Sequence, residues 1–270
     1  DGKQFYERLR QGLVSPNFNE EKTVKLKGHF GIGHVRYSTA GGASVKNTQP
    51  LVVEIKGKKL YFAHNGNLDN YEELKNKMES EGSIFSTTTD TELFPHLIAK
   101  SNKETLEDKI ADACTHVSGA YSLLIMTEDK IIGLKDPHGF KPLEIGKRKS
   151  ENGEYVYFLA SETTAFSGIN VKYVRSVDPG EMIVFDEKTI KTPQGYKSLR
   201  ITKEEIQPSF CVFELIYFMK PDSLLNQERR SVAGVRKKNG RTLAKEHYVD
   251  ADVVIPIPDS GNHGALGYSI

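Results

Sequence analysis

The sequence is poor in cysteine. Its 270 residues hold two, Cys114 and Cys211, too few for a disulfide framework and suited to a reducing compartment. No apolar stretch approaches the roughly 20 residues that a membrane span requires, and no signal peptide opens the chain, so no membrane partner is expected. Charge of one sign is missing as well. Lys+Arg 37 against Asp+Glu 36 leaves +1, which gives no field to draw nucleic acid or an anionic membrane. The eight histidines show neither H-x-H nor H-E-x-x-H spacing, so a histidine-based metal site is not expected. What is present has globular proportions, 37% hydrophobic and 27% charged, enough for one or two domains at about 150 residues each. The expectation is a soluble, cytoplasmic protein. Asp1 in place of methionine and the abrupt stop at Ile270 suggest a piece of something longer.

Short β-branched and aromatic runs bounded by Gly, Asn, Asp or Pro predict strands at Gly31–Tyr37, Leu60–Ala63, Ala120–Met126, Lys130–Leu134, Tyr155–Ala160 and Glu181–Phe185. Thr127-Glu128-Asp129 suits a tight hairpin between two of them. Three helices are expected. One is capped by Asn70, with Tyr71, Leu74 and Met78 as its stripe. A second starts near Thr89–Asp90 with Leu93/Leu97 and Phe94/Ile98, and a third carries Leu106, Ile110, Ala113 and Val117. Meandering strands with helices in a block predict an α+β layered domain. Arg200–Phe210 is polar and reads as a linker. Beyond it lie an apolar run Cys211–Met219, a helix Ser231–His247, a buried strand Ala251–Pro258 and a turn at Asp259-Ser260-Gly261. Strand, small polar loop and helix is how an α/β fold positions a phosphate or sugar.

Three segments offer chemistry. Ala63-His64-Asn65-Gly66-Asn67, at the end of a strand, can aim an amide and a glycine N–H at one developing oxyanion, and an Asn-Gly turn is the plain alternative. Gly33–Gly41 places Arg36 where it can hold a carboxylate bidentately. Thr87–Glu92 offers Asp90 for an ammonium, unless Asp90 or Thr89 merely caps the helix. A cation for a carboxylate and an anion for an ammonium would make a site for a free α-amino acid. Cys114 reads as a small core residue. Lys135–Pro142 reads as a turn-rich loop that lines a pocket or connects strands, and the cluster Arg229–Arg241 as a solvated helix face.

Taken in order, Gly33–Gly41, Gln49-Pro50, Ala63–Asn67, Asp90-Thr91-Glu92, Gly119–Leu123, Asp136–Leu143, Ala160-Ser161-Glu162 and Pro179-Gly180-Glu181, followed by Cys211–Ser223 and Val253–Gly261, resemble the amidophosphoribosyltransferases over nearly the whole chain. That resemblance implies an αββα N-terminal-nucleophile hydrolase sandwich over residues 1–205. The beginning of an α/β type I phosphoribosyltransferase domain would then occupy 206–270. It implies ammonia transfer from glutamine to phosphoribosyl pyrophosphate in purine synthesis, feedback by purine nucleotides, a cytoplasmic homo-oligomer and Mg2+. Arg36 and Asp90 would grip the glutamine carboxylate and amine, and Asn65 and Gly66 would form the oxyanion hole. Ser260 would belong to the magnesium–pyrophosphate site, and Cys211 would match an iron–sulfur ligand in the subset of members with a cluster. The family's N-terminal cysteine nucleophile and its acidic ribose-binding loop have no counterpart here, so residues 1–270 are expected to be inactive. Lys220 stands where arginine is usual, and Phe140-Lys141 replaces Ile-Arg. Two alternatives stay open: another glutaminase of the superfamily, such as glucosamine-6-phosphate synthase, and a non-catalytic glutamine-binding module.

Overall fold

The computed structural model describes residues 4–36, 45–202, 206–225 and 230–270. Contacts gather the chain into two compact units, neither continuous in sequence: Asp1–Phe140 with Asp178–Pro208, and Lys141–Val177 with Ser209–Ile270. The division expected after residue 205 runs along the sequence, whereas contacts group 141–177 with the C-terminal stretch.

The strands used below are β1 (Leu51–Ile55), β2 (Lys58–Leu68), β3 (Gly119–Met126), β4 (Lys130–Lys135), β5 (Glu144–Lys149), β6 (Tyr155–Ala160), β7 (Lys172–Ser176), β8 (Glu181–Asp186) and β9 (Lys197–Arg200). The helices are α1 (Tyr71–Ser80), α2 (Leu93–Lys100), α3 (Leu106–Cys114), α4 (Val232–Glu246) and α5 (Asn262–Tyr268).

In the first unit six strands form one sheet in the order β1-β2-β3-β4-β8-β9, each pair antiparallel. Alternation sends Leu60, Phe62 and Leu68 of β2, Tyr121, Leu123 and Ile125 of β3, Ile132 and Leu134 of β4, and Met182 and Val184 of β8 to one face. There they meet Met78 of α1, Leu93, Phe94, Leu97 and Ile98 of α2, and Ile110, Ala113 and Cys114 of α3 in one core. Full burial of each large side chain contributes about 1.5–3 kcal/mol. Cys114 is the core residue it was expected to be, and burial pushes its thiol up to about 12. In the second unit β5 pairs with β6 and β7 in an antiparallel sheet. Helix α4 opens on Ser231, whose Oγ accepts the Gly234 N–H. It packs on α5 at glycine, since a Cβ on Gly240 would stand 2.0 Å from Gly264 O and one on Gly267 would stand 2.1 Å from Lys237 O.

Several expectations are corrected. Residues 31–36 are irregular and Val35 is 77% exposed, while Tyr37, also assigned to that strand, lies outside the described residues. Strand β2 does not stop at Ala63, because β3 pairs with it from Tyr61 through Leu68; His64–Asn67 is strand, not turn. Ala251–Pro258 is not a buried strand. Val253, Ile255 and Ile257 are 72, 79 and 86% exposed, and among the described residues no strand pairs with the segment. Asn70 does not cap α1 with its side chain; it ties the chain ahead of β3, donating to His116 O and accepting from Ser118 N–H. Val117 falls beyond the end of α3. Arg236, placed on a solvated face, is buried and donates to Leu215 O and Met219 O. Strands β1, β5, β7 and β9 were not foreseen. In the linker, Ile201 is buried, and residues 203–205 are outside the described set, as is Arg229.

Candidate functional site

The site is built on an open strand edge. β1 pairs with β2 only from Lys58 to Phe62, so beyond Phe62 that edge of β2 has no ladder among the described residues, and Pro50, just before β1, has no N–H to extend one. Backbone N–H groups alternate sides along a strand, so residues 64, 66 and 68 project the same way. The outer two are taken by side chains. His64 N–H donates to Gln49 Oε1 at 2.6 Å, and Leu68 N–H donates to Asp90 Oδ2 at 2.9 Å. Between them the Gly66 N–H points outward. Its neighbour across the sheet, Tyr121, turns its own N–H and C=O the other way, toward Asp136. Only glycine fits at this position, because a Cβ would stand 2.0 Å from Ala120 O and 2.7 Å from Tyr121 Cα.

Asp90 is not a helix cap. Thr89 is, its hydroxyl accepting the Thr91 N–H where a turn of 3-10 helix leads into α2. The Asp90 carboxylate is released to face β2, where Oδ1 lies 3.5 Å from His64 Nδ1. Burial works to raise its pKa, but His64 and the Leu68 and Thr91 N–H groups outweigh it and hold the carboxyl below its usual value. Its partners are tied to one another. Thr91 Oγ1 is 3.2 Å from His64 Nδ1 and accepts from Gln49 Nε2 at 3.2 Å. Gln49, Thr91, His64 and Asp90 thus form a continuous polar chain that grips β2 on both sides of Gly66.

Arg36 is half-buried at the end of the stretch 31–36; residues 37–41 of its motif lie outside the described residues. It approaches the site through His34. Burial, then the electrostatics of the neighbouring His64 and Arg36, lower the His34 pKa to about 4, so His34 is neutral at physiological pH. Asn65 is half-buried on β2, and alternation turns its side chain to the face opposite His64, the face of Tyr61 and Ala63. Asp90, Gly66 and His64 are therefore shown together at one edge, Arg36 lies next to His34, and Asn65 adjoins Gly66 from the other face. Ser260, half-buried in the turn before α5, and Cys211, half-buried at the start of the 211–219 run, belong to the second unit. Lys135–Pro142 is organised around the fully buried Asp136, whose carboxylate accepts from the N–H groups of Tyr121, His138, Gly139 and Phe140. Its burial raises its pKa despite those donors.

Sequence reasoning assigned no role to Gln49, His64 or Thr91, although each stands in a motif it quoted. The signal available was the two-residue step from His64 to Gly66, legible only once the segment is known to be a strand.

Comparison with known proteins follows the same segments. A family model described as a glutamine amidotransferase domain matches residues 34–168. Amidophosphoribosyltransferase 1, chloroplastic, of Arabidopsis thaliana is 45% identical over 258 residues, 96% of this chain and 43% of that protein. The amidophosphoribosyltransferase of Bacillus subtilis is 42% identical over 270 residues, 100% of this chain and 54% of that protein. The chain thus spans about half the length of these relatives. A solved glutamine phosphoribosylpyrophosphate amidotransferase from B. subtilis, complexed with ADP and GMP, superposes with a TM-score of 0.84 at 42% identity, covering 96% of this chain and 53% of that one. The α+β class expected from the sequence is therefore the observed fold, shared with that N-terminal-nucleophile hydrolase. With half its length matched by one model, the chain belongs to the glutamine amidotransferase domain family.

Proposed function

We propose that this chain is the glutaminase part, with the beginning of the phosphoribosyltransferase part, of an amidophosphoribosyltransferase. Glutamine is hydrolysed to glutamate, and its ammonia replaces pyrophosphate at C1 of phosphoribosyl pyrophosphate to give phosphoribosylamine, the entry to purine synthesis. One observation carries the reading: a glycine N–H without a ladder partner among the described residues, one strand repeat from the Leu68 N–H that holds the half-buried, ionised carboxylate of Asp90. At strand rise the N–H groups of Gly66 and Leu68 are about 7 Å apart. One end suits an α-ammonium and the other the carbonyl of an extended glutamine side chain. In this reading Asp90 holds the ammonium, Arg36 the carboxylate, and Asn65 with Gly66 the oxyanion of the tetrahedral intermediate. The similarity continues beyond the amidotransferase domain to the last residues of the chain. That favours this enzyme over glucosamine-6-phosphate synthase.

The nucleophile of such chemistry is an N-terminal cysteine whose own amine is the base. Among residues 1–270 neither Cys114, sunk in the core, nor Cys211 has a free amine, so these residues alone are proposed not to hydrolyse glutamine. For magnesium, Ser260 offers one hydroxyl. Mg2+ keeps waters and substrate phosphates as most of its ligands, so the residue fits a supporting part. An iron–sulfur cluster takes four thiolates, and the chain has two cysteines, one of them buried. Residues 1–270 by themselves do not make a cluster site. The sequence division at 205/206, the cytoplasmic location, homo-oligomerisation and feedback by purine nucleotides belong to the same proposal. ADP and GMP are bound in the B. subtilis relative.

The test is Asp90→Asn in the full-length enzyme. Loss of the charge facing the ammonium is expected to raise the glutamine KM by about 10-fold or more, with ammonia-dependent phosphoribosylamine synthesis preserved. Equal loss of both activities refutes the assignment.

A further inference from the structure

His64 is buried on a face of β2 whose other buried side chains, Leu60, Phe62 and Leu68, are apolar, and its ring stands edge-on to Phe94 at 5.8 Å. A leucine or phenylalanine would fill this space and leave no polar atom dry. The chain instead keeps an imidazole whose Nε2 is buried without a hydrogen-bond partner among the described residues, 2.8 Å from where a Cβ on Gly66 would stand. An unsatisfied buried nitrogen is destabilising, so its retention calls for a compensating role at the other end of the ring. There Nδ1 faces Asp90 Oδ1 at 3.5 Å and Thr91 Oγ1 at 3.2 Å. A carboxylate only accepts, so Asp90 is served by the tautomer that carries its proton on Nδ1.

We propose that His64 is a positioning residue for glutamine recognition, fixing the carboxylate of Asp90 beside the Gly66 N–H. Asp90 Oδ2 is held by Leu68 N–H and Oδ1 by the His64 ring. Both oxygens are thereby referred to the strand that carries Gly66, and the carboxylate cannot rotate away from it. Among the described residues the ring is anchored at its Nδ1 end, by Asp90 and Thr91. This rests on the glutaminase reading above, and it concerns the ammonium end of the substrate, not the bond that breaks.

Two substitutions separate the ends of the ring. In His64→Asn the side-chain amide NH2 replaces Nδ1 and the Nε2 end is deleted. His64→Gln keeps reach toward Nε2 but withdraws the donor from Asp90. In the full-length enzyme His64→Gln should raise the glutamine KM by about 10- to 100-fold, the worth of one hydrogen bond to a charged group. Its kcat at saturating glutamine and its ammonia-dependent synthesis should stay within about 3-fold of wild type. His64→Asn should return the KM to near the wild-type value. The proposal is overturned if both variants keep a wild-type KM, if both lose the glutamine and ammonia reactions together, or if neither folds, since the role would then be one of structure alone. A wild-type enzyme that uses ammonia but not glutamine would defeat the glutaminase reading instead. Calorimetric titration of the same three proteins with L-glutamine would then judge His64 separately, by weakened binding in His64→Gln alone.

Discussion

At Gly66 three requirements meet in one residue: a strand that continues, a neighbouring backbone too close for a Cβ, and an N–H left outside the ladder. The adjacent Asn65 is asked for only one thing, an amide on the opposite face. Asn65→Ala should therefore leave the fold intact and lower glutaminase turnover by about 10²-fold if its amide donates to the oxyanion. The check is steady-state ammonia release beside an unchanged thermal midpoint, and unchanged turnover would remove Asn65 from the site. The candidates Arg36, Asn65, Gly66 and Asp90 could be proposed from the sequence because small motifs carry them. The partners that aim them were not, since Gln49, His64 and Thr91 act through contacts 15 to 42 residues apart.

At the scale of elements, the segment between α1 and α2 shows how a loop is made rigid enough to present a carboxylate. Glu92 is buried and accepts from Ser86 and Thr87, from both backbone N–H groups and both hydroxyls. Burial works to raise its carboxyl, but these four donors prevail and hold it below the ordinary 4.5. A carboxyl depressed on folding contributes stability that is complete above its unfolded pKa and is lost as pH falls through the folded one. Acid destabilisation linked to Glu92 is thus expected to set in below about pH 4.5. Glu92→Gln should lower stability near neutrality and flatten the acid limb, as followed by denaturant midpoints across pH. The helices themselves were readable from their i,i+4 stripes. Strands were harder. β5, with Lys147, Arg148 and Lys149, carries too much charge to be recognised without its neighbours β6 and β7, and Ala251–Pro258 has every apolar sign of a strand but no strand partner among the described residues.

For the whole molecule, the chain spans about half of its relatives, and the chemistry proposed needs a nucleophile that residues 1–270 do not supply. Expressed alone, these residues should release no ammonia from glutamine, while the full-length protein should; ammonia released by 1–270 would show that the N-terminal cysteine is dispensable. Composition, helix periodicity and the order of short motifs were enough to establish the α+β class and the family, and to propose the charged site residues, because those properties are carried by residue types and local spacing. Whether His-Asn-Gly-Asn is a turn or a strand, whether Asp90 caps a helix or faces a ligand, and which side chains lock it in place depend on pairing with β3 and on contacts across tens of residues. Such contacts exist only after the sheet has closed, and no local pattern encodes them.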